Sequence, residues 1–151
     1  MTSRPPQDLQ RFVDAQHPVY DRVVQELRSG RKVSHWMWFV FPQLVGLGLS
    51  DMSRRYAITS LAEAQSYLEH PVLGERLRAC TRSILTHAGT PAAAIFGSID
   101  ALKLRSSLTL FAIAGEPDDP FVACLEAFFG GVRDEATLHQ LQELVGRSPR
   151  T

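Results

Sequence analysis

Helix-stopping residues recur along the whole chain, and their spacing is the feature that most limits its fold. They stand at Gly30, Pro42, Gly89, Gly97 and Gly115. Glycine favours the left-handed conformation that ends a helix, and proline cannot continue one. Between these stops, apolar residues recur three and four positions apart, and no alternating strand pattern of useful length occurs. The sequence therefore predicts an all-α fold of about eight to ten helices, several of them only one or two turns long.

Such short helices cannot form a long regular bundle, so we expect an irregular multihelical packing. Some start signals are clear. Ser60 with Glu63 three positions later forms a capping-box pattern, and Asp134 is placed to cap the last helix. A longer helix is predicted over 99–114. These signals place helix starts just after Ser60 and just after Asp134.

The length of 151 residues indicates one domain rather than two. We expect a frayed N-terminal arm over 1–7, a single helical domain over 8–145 and a C-terminal tail over 146–151. No secretory signal is recognisable, and the apolar stretches are too short to span a bilayer. The sequence therefore predicts a cytoplasmic protein with no membrane association.

The chain carries 16 basic and 16 acidic side chains. Zero net charge argues against a protein that coats nucleic acid in general. Cys80 and Cys124 lie far apart among apolar neighbours, so we expect two buried thiols. The five histidines have no carboxylate or cysteine at metal-ligand spacing. We therefore expect no metal site and no cofactor.

The charges are unevenly distributed along the chain. Residues 22–105 hold 11 basic and 6 acidic side chains, whereas residues 116–143 hold one basic and seven acidic ones. The candidate site residues described below fall in this basic segment, except Ser107, which lies two residues beyond it. This distribution favours an anionic ligand.

An aromatic run between residues 34 and 43 packs four rings into six positions. We expect a short helix here, capped by Ser34 and ended by Pro42. Such a helix would put His35 and Trp38 on one face and Trp36 on another. One ring could stack a flat base, with Gln43 nearby. Alternatively both tryptophans belong to the core and His35 meets a buried polar group.

The helix predicted over 99–114 carries a polar face with Asp100, Lys103 and Ser107. Asp100 and Lys103 can pair one turn apart, and an aspartate suits the first turn of a helix. Small hydroxyl residues in mid-helix fit either a ligand or close packing against another helix. The chain has 14 arginines but only two lysines. We assign no role to the other lysine, Lys32.

Arg54 and Arg55 follow the Gly46–Gly48 loop. Their guanidinium groups suit phosphate oxygens. Alternatively, each is an ordinary surface arginine with no ligand. The abundance of Arg and Ala is typical of a GC-rich bacterial genome.

Several strings resemble a bacterial family of unknown function whose members are often labelled "calpastatin". They are Ser34-His35-Trp36-Met37-Trp38-Phe39 through Gly48, Ile95-Phe96-Gly97 through Phe111, and Phe129-Gly130-Gly131. The resemblance covers about residues 8–145. It implies an all-α, irregular multihelical domain of about this length, and no settled activity.

More remotely, the order of segments along the chain is similar to that of the NADAR proteins: an aromatic-rich early helix, an Ala- and Leu-rich middle and a late helix with Asp and Lys three positions apart. The NADAR proteins are helical, act on ADP-ribose-related compounds and include N-glycosidases. That similarity maps their late helix onto Asp100 and Lys103. Where the NADAR motif has a glutamate beside its histidine, this chain has Ser34. A glycosidase needs a carboxylate, so Asp100 or Asp51 would have to serve.

The leading hypothesis is a helical pocket protein that binds or hydrolyses an ADP-ribose-like nucleotide N-glycoside without a metal. Its partner would be a nucleotide-like anionic small molecule. The alternative is a non-enzymatic protein–protein interaction domain. The predicted catalytic residues are Asp100, Lys103 and His35, and the predicted ligand-binding residues are Trp36, Trp38, Gln43, Arg54, Arg55 and Ser107.

Overall fold

The structure, a computed structural model, describes residues 7–146. Within this range the chain forms ten helices, and its one β-type contact is an isolated bridge between Leu44 and Ile58. The all-α prediction is confirmed. The helices are α1 (Gln7–Gln16), α2 (Tyr20–Ser29), α3 (Met37–Val40), α4 (Asp51–Arg55), α5 (Leu61–Glu69), α6 (Leu73–Leu85), α7 (Ala92–Phe96), α8 (Ser98–Ala114), α9 (Phe121–Phe129) and α10 (Glu135–Gly146).

The predicted arm and tail fall almost wholly outside the described residues. Residues 1–6 and 147–151 are not described, so these two predictions remain predictions. α1 begins at Gln7 and α10 ends at Gly146, each one residue beyond the predicted bounds of the domain.

Local capping chemistry sets several helix ends. The Ser60 hydroxyl accepts a hydrogen bond from the Glu63 backbone N–H at 3.0 Å. The Glu63 carboxylate turns back to the backbone N–H of Thr59 at 2.8 Å, one residue earlier than a standard capping box requires. Asp134 accepts from the Thr137 backbone N–H at 2.9 Å, which confirms it as the cap of α10. Gly30 ends α2 with a φ of 76°.

Helix α8 lies at the centre of the fold, in contact with α5, α7, α9 and α10. Its small polar residues serve this packing. Ser106 shares a 2.8 Å hydrogen bond with the Thr137 hydroxyl. The Thr109 hydroxyl accepts from the Asp134 backbone N–H at 2.9 Å and so fixes the start of α10. For Ser106 and Thr109, the small hydroxyl side chains are therefore explained by close packing of α8 against α10.

Aromatic rings run through the core in an unbroken series of edge-on and tilted contacts. Phe12 meets Tyr67 with ring centroids 5.2 Å apart, and Tyr67 meets Phe111 at 5.3 Å. Phe111 in turn lies 6.0 Å from Phe121. This series joins α1, α5, α8 and α9, so it ties early and late parts of the chain into one core. Cys80 and Cys124 are free and buried, as predicted.

We expect Gly74→Ala to destabilise the protein by about 1–3 kcal/mol, although alanine is the better helix former. A Cβ at Gly74 would collide with the Leu68 carbonyl oxygen, where α5 ends against the start of α6. Urea unfolding midpoints measure the effect. Gly146→Ala is the control, because a Cβ there meets nothing within 4 Å among residues 7–146, and the midpoint should hold or rise slightly. An unchanged midpoint in Gly74→Ala would contradict this close approach.

Candidate functional site

The connection between α2 and α3 carries the first half of the candidate site. α3 is only four residues long and begins at Met37, with Trp36 at its N-cap position. The prediction that Ser34 caps this helix is wrong, because the Ser34 side chain is already used elsewhere. Its hydroxyl donates to the Glu26 carboxylate at 2.6 Å. His35 precedes the helix, so it does not share a helical face with Trp38.

The Glu26 carboxylate organises this connection. One of its oxygens accepts from the backbone N–H groups of Val33 and Ser34, at 2.8 and 3.0 Å, and from the Trp36 indole N–H at 2.9 Å. Partial burial opposes ionisation of the carboxyl group. The hydrogen bonds from Ser34, Val33 and Trp36 outweigh that effect and lower the pKa of Glu26 to about 2. The ionised carboxylate therefore holds residues 33–36 in place.

Trp36 belongs to the core. Trp36 is 1% exposed, and the centroid of its ring lies 6.3 Å from that of the Phe41 ring. The indole N–H is satisfied by Glu26. A ligand ring has no access to this side chain, so of the two candidate tryptophans only Trp38, which is half-buried, is placed to stack a base.

Lys32 joins this connection to helix α8. Its side chain is only 5% exposed, and its ammonium lies 2.8 Å from Asp100 Oδ2. The same ammonium donates to the Ser34 carbonyl oxygen at 2.6 Å and lies 4.9 Å from the centre of the Trp36 ring. With three partners around one charge, Lys32 is fixed in position.

Lys103 contacts the other oxygen of Asp100 much more loosely. Its Nζ is 3.8 Å from Asp100 Oδ1 and 5.5 Å from the centre of the Trp38 ring. The side chains of Asp100 and Lys103 are 23% and 26% exposed. The predicted pairing of these two residues is present, but the shorter contact of Asp100 is with Lys32.

The two predicted groups of site residues therefore meet at Asp100. Both lysines of the chain form an ion pair with the Asp100 carboxylate, and each lysine lies over one of the two tryptophans of the chain. We call this arrangement the lysine–tryptophan cluster; it consists of Lys32, Trp36, Trp38, Asp100 and Lys103. Lys32 and Trp36 form its buried half, and Trp38 and Lys103 form its accessible half.

A small cavity of about 70 Å³ adjoins the cluster at Trp38. Gln43 and Arg54 line it, together with the loop at Gly46 and Gly48. Residues 100–107 are not part of its lining. Cavities that enclose a nucleotide-sized ligand have volumes of roughly 300–1,000 Å³. This cavity can therefore take a ligand group of a few atoms, while the rest of a ligand would lie on the surface outside it.

The remaining predicted site residues lie apart from this cavity or deep in the fold. His35 is exposed. The Arg55 side chain is also exposed, and its backbone carbonyl accepts from Arg11 Nε at 2.8 Å. Ser107 is 1% exposed, on the α8 face that carries Asp100 and Lys103. Within residues 7–146, its hydroxyl is one of two buried side-chain polar groups that have no hydrogen-bond partner.

A larger, mainly apolar groove of about 940 Å³ lies elsewhere, between the start of α5, the end of α8 and helix α10. Leu61, Ile113 and Leu141 contribute to its walls. None of the predicted site residues lines it. The groove is therefore separate from the lysine–tryptophan cluster.

Glu26 and Lys32 are the residues that the sequence reasoning missed. The rarity of lysine was a usable signal, because a chain with 14 arginines and two lysines places an ammonium where a guanidinium does not serve. Glu26 gave no such signal. Its role arises from the fold of the connection that follows α2.

Residues 6–141 match the model of a family described as "Protein of unknown function (DUF1810)". The chain belongs to this DUF1810 family. The predicted resemblance to a bacterial family of unknown function is thereby confirmed.

A crystal structure of a conserved hypothetical protein from Mycobacterium tuberculosis is similar to this DUF1810 protein. The two are 54% identical, with a TM-score of 0.88, and the match covers 91% of this chain and 99% of the other. A search of curated proteins gives no match. The NADAR similarity stays a prediction.

Two further findings concern the part of the chain that the structure describes. No helix there is long and apolar enough to cross a membrane. Nor do three or more His, Cys, Asp or Glu side chains there come together as a group that could hold a metal ion.

We expect Glu26→Gln to lower the free energy of unfolding by about 1–3 kcal/mol at pH 7, because an amide oxygen replaces a carboxylate that accepts four hydrogen bonds. The pKa of Glu26 is lower in the folded state than its ordinary value of 4.5. This carboxylate therefore stabilises the fold above about pH 4.5, and the contribution is lost as the pH falls toward 2. Urea unfolding from pH 7 to pH 3 should show the two proteins converging. A constant difference would contradict the assignment.

We expect the two lysines to differ in their effect on stability. Lys32→Met should cost about 1–3 kcal/mol, because it removes the short ion pair of a buried ammonium. Lys103→Met, at a looser and partly exposed ion pair, should cost less than about 0.5 kcal/mol. The same substitution at both positions makes each variant the control of the other. Equal unfolding midpoints would contradict the division into a buried and an accessible half.

Proposed function

We propose that this DUF1810 protein binds a nucleotide-like N-glycoside of the ADP-ribose class at the accessible half of the lysine–tryptophan cluster. The observation that supports the proposal is the position of the Lys103 ammonium, between the half-buried Trp38 ring and Asp100. A flat ring, a partly exposed cation and a carboxylate are thus within reach of one ligand. These are the groups that recognise a base, a phosphate and a ribose hydroxyl.

Trp38 would stack the flat ring of the ligand, an interaction worth roughly 1–3 kcal/mol per base in nucleic-acid-binding proteins. The cavity beside it offers Gln43 and Arg54 as polar partners. Arg54 is exposed, with only a 3.9 Å contact to Asp51, so its guanidinium is available to a phosphate group. Lys103 would supply the second positive charge.

Hydrolysis of the N-glycosidic bond is the further step that this arrangement supports. The bond from the ribose C1 to the base nitrogen would break, and its electron pair would go to the nitrogen. A water oxygen would bond to C1, and Asp100 Oδ1 would accept the proton of that water. Asp100 Oδ1 has only the loose 3.8 Å contact to Lys103, whereas Oδ2 is engaged by Lys32. A pyridinium base leaves as a neutral ring and needs no proton, whereas a neutral base would take one from an acid such as His35, which is exposed.

We expect ADP-ribose or nicotinamide mononucleotide to change the tryptophan fluorescence in a saturable way, with binding complete by millimolar concentrations. Trp38→Leu removes both the stacking surface and the reporting ring, so its binding is measured by isothermal titration calorimetry and should be at least about fivefold weaker. Trp38→Phe is the matched control: it keeps a ring, and calorimetry should show binding weaker than that of the wild type but tighter than that of Trp38→Leu. No saturable change with either compound at millimolar concentration would remove the proposal.

The hydrolytic step has its own test, with release of the free base followed by chromatography. Asp100→Asn should abolish the release by a protein that still binds the compound. Release at the wild-type rate from this variant would clear Asp100 of a catalytic role. Binding without any release by the wild type would remove the hydrolytic step and keep the proposed binding.

A further inference from the structure

We infer that the ligand ring which lies on Trp38 carries a positive charge, as in a pyridinium N-glycoside. This inference rests on the proposed function, and it concerns the chemical class of the ring. It depends on which group of the free protein the ring must replace.

The accessible face of the cluster is not empty in the free protein. The Lys103 ammonium lies 5.5 Å from the centre of the Trp38 ring and 3.8 Å from Asp100 Oδ1. A tryptophan face and a carboxylate around one cation are the groups that recognise organic cations. The chain's own ammonium thus occupies a small cation site.

Lys103 is the one cation of the cluster that a ligand can replace. Lys32 is 5% exposed and has short contacts of 2.6 and 2.8 Å to Ser34 and Asp100. The Lys103 side chain is 26% exposed, and neither of its two contacts is short. A ring that approaches Trp38 from this side displaces Lys103 and leaves Lys32 in place.

The cost of that displacement depends on the charge of the ring. When a neutral base displaces Lys103, the Trp38 face and the Asp100 carboxylate both lose their contact with a cation, and the base does not replace it. A positively charged ring restores both interactions. The released Lys103 ammonium is then free to pair with a phosphate group of the same ligand. The site therefore selects a ligand with a cationic ring and an anionic tail.

The oxidised and reduced forms of nicotinamide mononucleotide test this inference. They share ribose and phosphate, but the ring is a cation in the oxidised form and neutral in the reduced form. Isothermal titration calorimetry on the full chain gives both dissociation constants. We expect the oxidised form to bind at least about twofold tighter, which is the lower end of the range for a cation over an aromatic face.

Three variants show which groups recognise the charge. Trp38→Leu and Asp100→Asn should each bring the ratio of the two dissociation constants toward one. Trp38→Phe, which keeps an aromatic ring, should give an intermediate ratio and serves as the test if the other two variants fold poorly. Lys103→Met should shift both dissociation constants by the same factor, because the two groups that contact the ring remain.

Equal binding of the two forms by the wild type would overturn the inference while leaving the proposed function standing. The same holds if the ratio survives in Trp38→Leu and in Asp100→Asn, or if it changes in Lys103→Met. Absence of binding by both forms and by ADP-ribose would instead remove the proposed function itself.

Discussion

The hydrogen bonds that Glu26 accepts fix the connection from α2 to α3, and the geometry of the candidate site depends on them. Residues 33–36 contribute four donors to this one carboxylate. Its oxygens can accept all four because an ionised carboxylate has about four acceptor sites. The Ser34 carbonyl, held in this way, accepts from Lys32, and Lys32 reaches Asp100. The position of Asp100 relative to α3 is therefore set through three successive polar contacts that begin at Glu26.

The same sequence of contacts explains why position 32 is a lysine. Its ammonium meets a carbonyl oxygen, a carboxylate oxygen and an indole ring at once, within a space that leaves the side chain 5% exposed. A guanidinium is planar and carries five N–H donors in a fixed fork, so it would leave some of them buried without acceptors. Burial of the ammonium is offset by Asp100 and Ser34, which together supply charge and hydrogen-bond acceptors.

The helices were predictable from the sequence because their ends depend on local chemistry. Ser60, Asp134 and Gly30 act within a few residues of their own positions, and the structure has all three where expected. The cluster depends on the approach of Lys32 to Asp100, which lie 68 positions apart in the chain. Ser34 failed as a predicted cap for the same reason: Glu26, from the preceding helix, competes for its hydroxyl. Local patterns carry no information about such competition.

Asp100 has compensation for its charge that does not involve Lys103. It lies in the first turn of the 17-residue helix α8, where the helix dipole favours a negative charge, and Lys32 pairs with its Oδ2. The carboxylate therefore stays stabilised when Lys103 moves away. The Lys32–Asp100 ion pair can therefore maintain the fold while a ligand displaces Lys103 from Asp100. A site in which Lys103 alone neutralised Asp100 would lose stability whenever a ligand displaced it, and binding would be weakened by that amount.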